Sequence, residues 1–482
     1  NYLFLCRSGS FMLLREALGV SGEEIGLRLK GGRWGRWRRW GRIRRRIPAP
    51  VLTALCRLQN SGYQAYLVGG APRDLLLGRE PQDWDIATDA RPEQVKAVFP
   101  RTFPLGEKFG TVGVLIDETP LEVTTFRREG DYSDGRRPDW VAFTPAVRDD
   151  LARRDFTINA IALDPLGEKL VDPYGGVRDL KRRLVRAVGE PRTRFYEDPL
   201  RMLRFYRFQA TLGFRGESCT EQSITAELIR KVSGERLRDE LTKILIAGAP
   251  AFGLNGLARS GLLTVILPEF IPVYPADPAL FRHLVATVEA IKPCPELRWA
   301  AFLHDLGKAA TRQVAADGRV RYYGHDKVSQ DLAAGLLERL HFPNASRQKI
   351  LPLIRWHMFD ASPALTDAAL RRLVGKVGPE HIFDLLELRR ADIVATGRPT
   401  YQARESLAFL ARRIEALLAG ETVLTRKDLA VNGHEVMAFL ALPPGPEVGA
   451  VLDEIFRWVT EDPARNRKDR ILAFLAERYR VE

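Results

Sequence analysis

Two hydrophobic periods alternate along the first part of this chain and one dominates the rest. Apolar positions three and four apart over 51–60 predict a helix, and the apolar run 63–68 predicts a strand. Gly69 and Gly70 then form a turn, 72–77 a short helix, 83–87 a strand and 92–99 a helix. Segments 111–116 and 121–125 read as a hairpin around Asp117, Glu118, Thr119 and Pro120. Residues 127–140, RREGDYSDGRRPDW, are polar and glycine-containing and read as a mobile loop. After about Asp164 the pattern is almost wholly helical, with periodic stretches at 196–212, 220–231 and 235–247. A Pro/Gly-punctuated stretch at 248–275 predicts a boundary, and helices resume over 279–395 and 401–482. The fold class is therefore α+β: a small head with a mixed sheet and helices, followed by an all-α remainder. The expected divisions are 1–47, 48–165 (head), 166–250 (helical neck), 251–400 (body) and 401–482 (helical tail).

Composition narrows the class. A length of 482 residues suggests about three domains. A chain 45% hydrophobic and 28% charged is neither disordered nor collagen-like. No stretch approaches about 18 uninterrupted apolar residues, so no membrane span is expected. Cys6, Cys56, Cys219 and Cys294 form no C-x-x-C pair, which argues against a disulfide framework or thiolate zinc site and fits a reducing, cytoplasmic setting.

Charge adds one feature. Of the net +13, a surplus of nine lies in residues 1–47, which hold twelve Arg and Lys and three Glu. There arginines alternate with Trp34, Trp37 and Trp40, a pattern suited to RNA phosphates and stacked bases. The reading preferred is the blander one, a disordered basic arm or leader.

The densest chemistry lies in LVGGAPRDLLLGREPQDWDIATDA. Gly69 and Gly70 end a strand and open a helix, so backbone N–H groups can approach phosphate oxygens. Arg73, one turn into that helix, can pair with a triphosphate. Asp83 and Asp85 alternate on a strand, which puts both carboxylates on one face. Such neighbours repel unless a cation lies between them, and magnesium prefers oxygen ligands while keeping positions open for phosphates. Glu122, on the neighbouring hairpin, is the third carboxylate. Further on, Asp198, Arg201 and Arg204 are spaced three apart and are expected on one helix face. A carboxylate accepts from an amino group and a guanidinium donates to a ring nitrogen. Cytosine and adenine offer that pair, whereas uracil and guanine present the reverse.

The stretches LVGGAPRDLLLG–DWD, LEVTTFR, RRDFTINAIALD, VDPYGGVRDL, EDPLRMLRFYRF and ERLRDEL run in one order across 63–241. In this the chain resembles the class II tRNA nucleotidyltransferase and bacterial poly(A) polymerase family, within the DNA polymerase β superfamily. It departs at Pro72, where valine is usual, and proline near a helix start is tolerated. The resemblance implies a polymerase-β-like head and Asp83, Asp85 and Glu122 as catalytic and magnesium-binding groups. It implies Asp198 and Arg201 as readers of CTP and ATP, with Arg204 and Arg207 supporting the nucleotide. It assigns Arg154 and Asp155 to ribose and phosphates, and Glu235 and Arg236 to the structure of the neck. The segment 127–140 would reorient the base pocket from C to A, and the tail would hold the tRNA body. The expectation is CCA addition to tRNA from CTP and ATP, with poly(A) synthesis or A-only addition as rivals.

A second constellation follows. Five of the seven histidines fall within 283–357. His304 adjoins Asp305 in FLHDLGK, His283 precedes them and Asp392 follows, an order similar to that of HD phosphohydrolases. Imidazole and carboxylate suit a divalent metal that activates water against a phosphate ester. His325 and His357 are further candidate ligands or phosphate contacts; His341 has no evident role. The resemblance implies hydrolysis of cyclic phosphates or phosphate monoesters as a second activity. An HD phosphohydrolase whose head merely binds RNA is the rival from another class.

Overall fold

The computed structural model describes residues 40–130, 139–397, 401–420 and 426–479. The chain divides into two compact units, at Val232 and Ser233.

The first unit is organised by strand β1 (Ala65–Val68), whose four residues are all buried. Helix α1 (Ala49–Asn60) leads into it, and α2 (Gly70–Leu77) follows directly. Then come β2 (Asp85–Thr88), α3 (Pro92–Val98), β3 (Thr102–Pro104), β4 (Thr111–Ile116) and β5 (Thr119–Thr125). The short strands β6 (Arg127–Glu129) and β7 (Val141–Phe143) pair with each other. Helix α4 (Val147–Ala152), β8 (Ala162–Asp164), β9 (Lys169–Val171) and α5 (Gly176–Arg182) complete the head. A seven-stranded sheet runs in the order β3-β4-β5-β2-β1-β8-β9. Its one parallel pair is β2 with β5.

Alternation along the strands explains why this sheet is buried on both faces. Leu67, Ile86, Val112, Val114 and Val123 pack on one side with Leu55 and Leu58 of α1. Tyr66, Val68, Ala87 and Phe126 pack on the other with Val147 and Leu151.

Several expectations shift. Residues 1–39 of the basic arm lie outside the described residues, but residues 40–44 are helical, and Trp40, Ile43 and Ile47 join the head core. The arm thus ends earlier than its charge suggested, because these three apolar residues are buried between the arginines. The head also runs past 165, since β9 pairs with β8. Of the predicted mobile loop, residues 131–138 lie outside the described residues, while its flanks are the paired strands β6 and β7. The helix expected over 196–212 is two helices, α6 (Pro191–Glu197) and α7 (Leu200–Leu212). That expected over 220–231 is a short helix, Ser218–Gln222, and a 3₁₀ turn, Ala226–Lys231.

The second unit is helical. The ERLRDEL helix, α8 (Gly234–Leu245), belongs to it: Trp299 Nε1 donates to Thr242 Oγ1 at 2.9 Å. The punctuated stretch at 248–275 is no break in packing, for Leu254, Leu257, Leu262 and Phe270 are buried. The helices that matter for chemistry are α9 (Pro278–Ala290), α10 (Pro295–Leu303), α11 (His325–Arg339), α12 (Asn344–Trp356) and α13 (Ile382–Ala395). Near the chain's end α14 (Pro446–Glu461) and α15 (Lys468–Tyr479) share a small core of Val451, Ile455, Ile471 and Leu475. Among the described residues no helix is long and apolar enough to cross a membrane.

Candidate functional site

Register brings the acidic residues of the head together. In the sheet Asp85 lies opposite Val68 on β1 and opposite Glu122 on β5. Gly69, the residue after β1, has φ 73°, and a Cβ there would come within 2.8 Å of Asp85 Oδ2 and 3.4 Å of Arg154 Nη1. Glycine is needed at that turn both for its left-handed backbone and for the close approach. Asp83 stands two residues ahead of β2 rather than on it, so strand alternation does not place it; it is exposed, on the turn leading in. Burial raises the Asp85 carboxyl above its ordinary value; Arg154 opposes the rise and Asp83 adds to it. Burial, then Asp85 and Asp83, raise Glu122 in the same direction. Three acids that feel one another's charge favour a cation among them. Among the described residues, three or more ligand atoms gather within 4.8 Å of one another at the histidine cluster below, and not at these three acids.

Arginine 154 links this corner to the rest of the site. Its Nη2 donates to buried Asp150 at 3.1 Å, while its buried Nε makes no hydrogen bond. Asp155 accepts from Arg204 Nε at 2.8 Å and Nη2 at 2.6 Å through Oδ2, and from Phe156 N at 2.8 Å through Oδ1. Burial pushes its carboxyl upward, but Arg204, Arg201 and Asn159 together outweigh burial and hold it at about 2. Arg73 forks onto Asp74 at 2.9 and 2.8 Å and reaches Asn159 Oδ1 at 2.9 Å. The guanidinium groups of Arg73, Arg204 and Arg207 lie 5.4, 5.7 and 4.0 Å from the Phe208 ring centre, so one aromatic ring gathers three cations.

The expected base readers are arranged differently from a single helix face. Asp198 is extended, at φ −143° and ψ 101°, between α6 and α7. The cause is Pro199, since the residue before a proline is driven out of the helical region. Asp198 Oδ1 instead accepts from Leu200 N at 3.1 Å, and its carbonyl from Arg201 N at 2.9 Å. Arg201 is 9% exposed and pairs with Glu197; its Nη2 donates to Arg153 O at 3.1 Å. Asp198 and Arg201 therefore share the α6–α7 corner, and Arg204 is committed to Asp155.

The second unit assembles a compact cluster from five elements. His283 comes from α9, His304 and Asp305 from the end of α10, His325 from the first position of α11, His357 from the end of α12 and Asp392 from α13. His283 Nε2 is 3.3 Å from Asp305 Oδ2 and 3.2 Å from Asp392 Oδ1, and His304 Nε2 is 3.2 Å from Asp305 Oδ2. His325 and His357 Nε2 lie 3.3 and 3.4 Å from Asp305 Oδ1. The Nδ1 atoms of His304, His325 and His357 meet the carbonyls of Ala301, Tyr322 and Ile354 at 2.9, 2.7 and 2.7 Å. A neutral ring held in this way donates from Nδ1 and aims a lone pair from Nε2. The Nε2 atoms of all four histidines, and Asp305 Oδ1, are buried without a hydrogen bond. Buried polar atoms left so are costly, and a cation among them removes the cost. Burial opposes a charged His304, yet Asp305 and Asp392 raise it to about 10; burial lowers His357. The residues present thus fit a divalent metal.

Sequence reasoning missed Asp150, Asn159 and Phe208 in the first unit. Asp150 was legible from its spacing to Arg153 and Arg154, both of which it binds; Asn159 and Phe208 carry no local signal. It also missed Lys308 and Arg389, whose Nζ and Nη1 lie 2.5 Å from Asp305 Oδ2 and 2.8 Å from Asp392 Oδ2.

Comparison with known proteins matches three family models: a poly A polymerase head domain over residues 65–186, a probable RNA- and SrmB-binding site of polymerase A over 213–273, and a putative tRNA nucleotidyltransferase domain 2 over 327–475. A CCA-adding enzyme of Geobacillus thermodenitrificans is 37% identical over 428 residues, 88% of this chain and 96% of that one. Another, from Geobacillus stearothermophilus, is 38% identical over 427 residues, with the same shares. The crystal structure of the Bacillus stearothermophilus CCA-adding enzyme in complex with CTP is 34% identical, with a TM-score of 0.67, and the match covers 90% of this chain and 98% of that one.

Proposed function

The chain belongs to the CCA-adding enzymes, and on that premise we propose that it completes the 3′ end of tRNA from CTP and ATP without a nucleic-acid template. The 3′-hydroxyl of the tRNA attacks the α-phosphate of the bound nucleotide, and pyrophosphate leaves. Asp83 and Asp85, with Glu122 beside them, would hold magnesium, which would supply acidity to the attacking hydroxyl and counter-charge to the phosphates. The backbone at Gly69 and Gly70 lets the triphosphate lie against the end of β1, where Arg154 and Arg73 neutralise it. Asp198 accepts from the amino group of C or A, and Arg201 donates to the ring nitrogen beside it. Asp155 braces Arg204, which keeps the nucleotide's side of α7 in place.

The observation that carries this reading is the register of Asp85 with Glu122 under a glycine that admits no side chain. A cytoplasmic protein acting on tRNA fits the composition. The test is purified chain with tRNA lacking CCA, given CTP alone, ATP alone or both. Cytidine addition with CTP and completion with both is the expected result. Adenosine addition alone would replace the reading with an A-adding or poly(A)-forming one.

A second activity is favoured by the four unbonded Nε2 atoms around Asp305. His283, His304, Asp305 and Asp392 would hold a divalent metal, and the chemistry it would supply there is activation of water against a phosphate ester. His304→Ala is expected to abolish such hydrolysis; hydrolysis unchanged in that variant would remove this part of the reading.

A further inference from the structure

We propose that Phe103 is the stacking platform for the last base of the RNA strand being extended. The inference rests on the reading of the head as a site of nucleotide addition and adds a seat for the second reactant.

Phe103 lies on β3, an edge strand of the seven-stranded sheet. Register carries it into the row of the carboxylates. Phe103 is opposite Gly113 on β4, Gly113 is opposite Glu122 on β5, and Glu122 is opposite Asp85 on β2. Residues directly opposite one another point to the same face of a sheet, so Phe103 shares its face with both acids. The intervening residues Val112, Val114 and Val123 turn to the core on the other face.

Gly113 decides where the ring goes. A Cβ there would collide with Cδ2, Cε2 and Cζ of Phe103, so the ring leans across β4 toward Glu122 in space that any other residue would fill. Neighbouring strands are about 4.8 Å apart, which leaves the ring about one strand from the Glu122 backbone. Glycine inside a strand weakens it and often marks a close approach. The ring is nevertheless 36% exposed. An open aromatic surface beside the acids is what a nucleobase stacks on.

The opposite side of the acids belongs to the incoming nucleotide. Arg154 closes on Gly69, the residue after β1, and Arg201 is tied to the carbonyl of Arg153 at 3.1 Å. The contacts to triphosphate and base therefore lie on the β1 side of Asp85, away from Phe103. Displacement at phosphorus runs in line, with the attacking oxygen and the leaving pyrophosphate on opposite sides of the α-phosphorus. With pyrophosphate on the β1 side, the 3′-hydroxyl arrives from the β4 side, and the base of its own nucleotide falls over Phe103. Stacking accepts every base, which suits a strand whose last residue changes as it grows.

The test is a cycle of two changes, read as addition of the first C from CTP. The full chain and its Phe103→Leu variant, in which leucine still covers Gly113, are each given tRNA lacking CCA. The last nucleotide of that tRNA is either intact or abasic, with its ribose hydroxyls retained. On the intact end, Phe103→Leu should lower kcat/KM for tRNA about tenfold, the size of one lost base–aromatic stack, with the KM for CTP unchanged. On the abasic end the unmutated chain should fall by a similar factor, and the variant should fall no further. Phe103→Tyr, which keeps the ring, should restore the rate on the intact end. An equal loss from Phe103→Leu on both ends would overturn the platform and leave the ring a cover for Gly113. A raised KM for CTP with tRNA unaffected would overturn it by giving the ring to the incoming nucleotide. No addition of C by the unmutated chain to intact tRNA would overturn the reading of the reaction, and the platform with it.

Discussion

At Gly69 a single hydrogen in place of a methyl group decides whether the head can work. Its backbone is left-handed, and Asp85 Oδ2 and Arg154 Nη1 fill the space a Cβ would take. Gly69→Ala should therefore displace the carboxylate and lower kcat/KM for CTP by about a hundredfold, the cost of misplacing a reacting group by an ångström. Steady-state kinetics on tRNA lacking CCA would show it. Asp155 carries a different burden. Its folded value of about 2 lies below the ordinary carboxylate value, so its contribution to stability is complete above the ordinary value. The contribution fades as pH falls from about 4 toward about 2. Asp155→Asn is expected to cost about 2–4 kcal/mol near neutrality, because Arg204 loses its partner. Urea midpoints should show the gap from the unmutated chain narrowing as the pH is lowered through that window. A gap constant with pH would mean that the carboxylate's charge is not what matters.

At the scale of elements, the corner between α6 and α7 sets base choice in this account. Asp198 accepts from Leu200 N at the start of α7, and Asp198→Ala should cost about 1 kcal/mol of stability. It should also reduce discrimination against UTP and GTP by at least about tenfold, since a site that reads polar edges loses most when one partner is removed. Misincorporation into tRNA lacking CCA, with all four nucleotides competing, measures this. Here also lies the boundary of what the sequence disclosed. Strands β4 and β5 appear where the pattern put them, because a sheet buried on both faces leaves little freedom of register. The order of acids and arginines gave the candidate site because its motifs are local. What escaped was set by proline and by distance. Pro199 splits one apparent helix, and Asp83 falls off the start of its strand. Trp40, Ile43 and Ile47 look like part of a charged tail until the core they enter is seen. Asn159 joins Arg73 and Phe208 joins three arginines only through the folded chain.

Across the molecule, the acids of the head belong to one unit and the histidine cluster to the other. Metal bound only by the folded second unit must stabilise it, by about 2.7 kcal/mol when the free ion is a hundredfold above its dissociation constant. Calorimetry should show a transition that rises with manganese and falls with a chelator, and His304→Ala should remove the response. If the transition ignores both reagents, the buried histidines serve packing alone. The head's claim can be read on a sequencing gel. Full-length chain is incubated with tRNA lacking CCA and both CTP and ATP, beside the Asp83→Ala/Asp85→Ala variant. The unmutated chain should extend the tRNA by C, C and A and stop, while the variant leaves it unextended. Extension by the variant, or a ladder of A without C, would contradict the assignment of these carboxylates and of the reaction they serve.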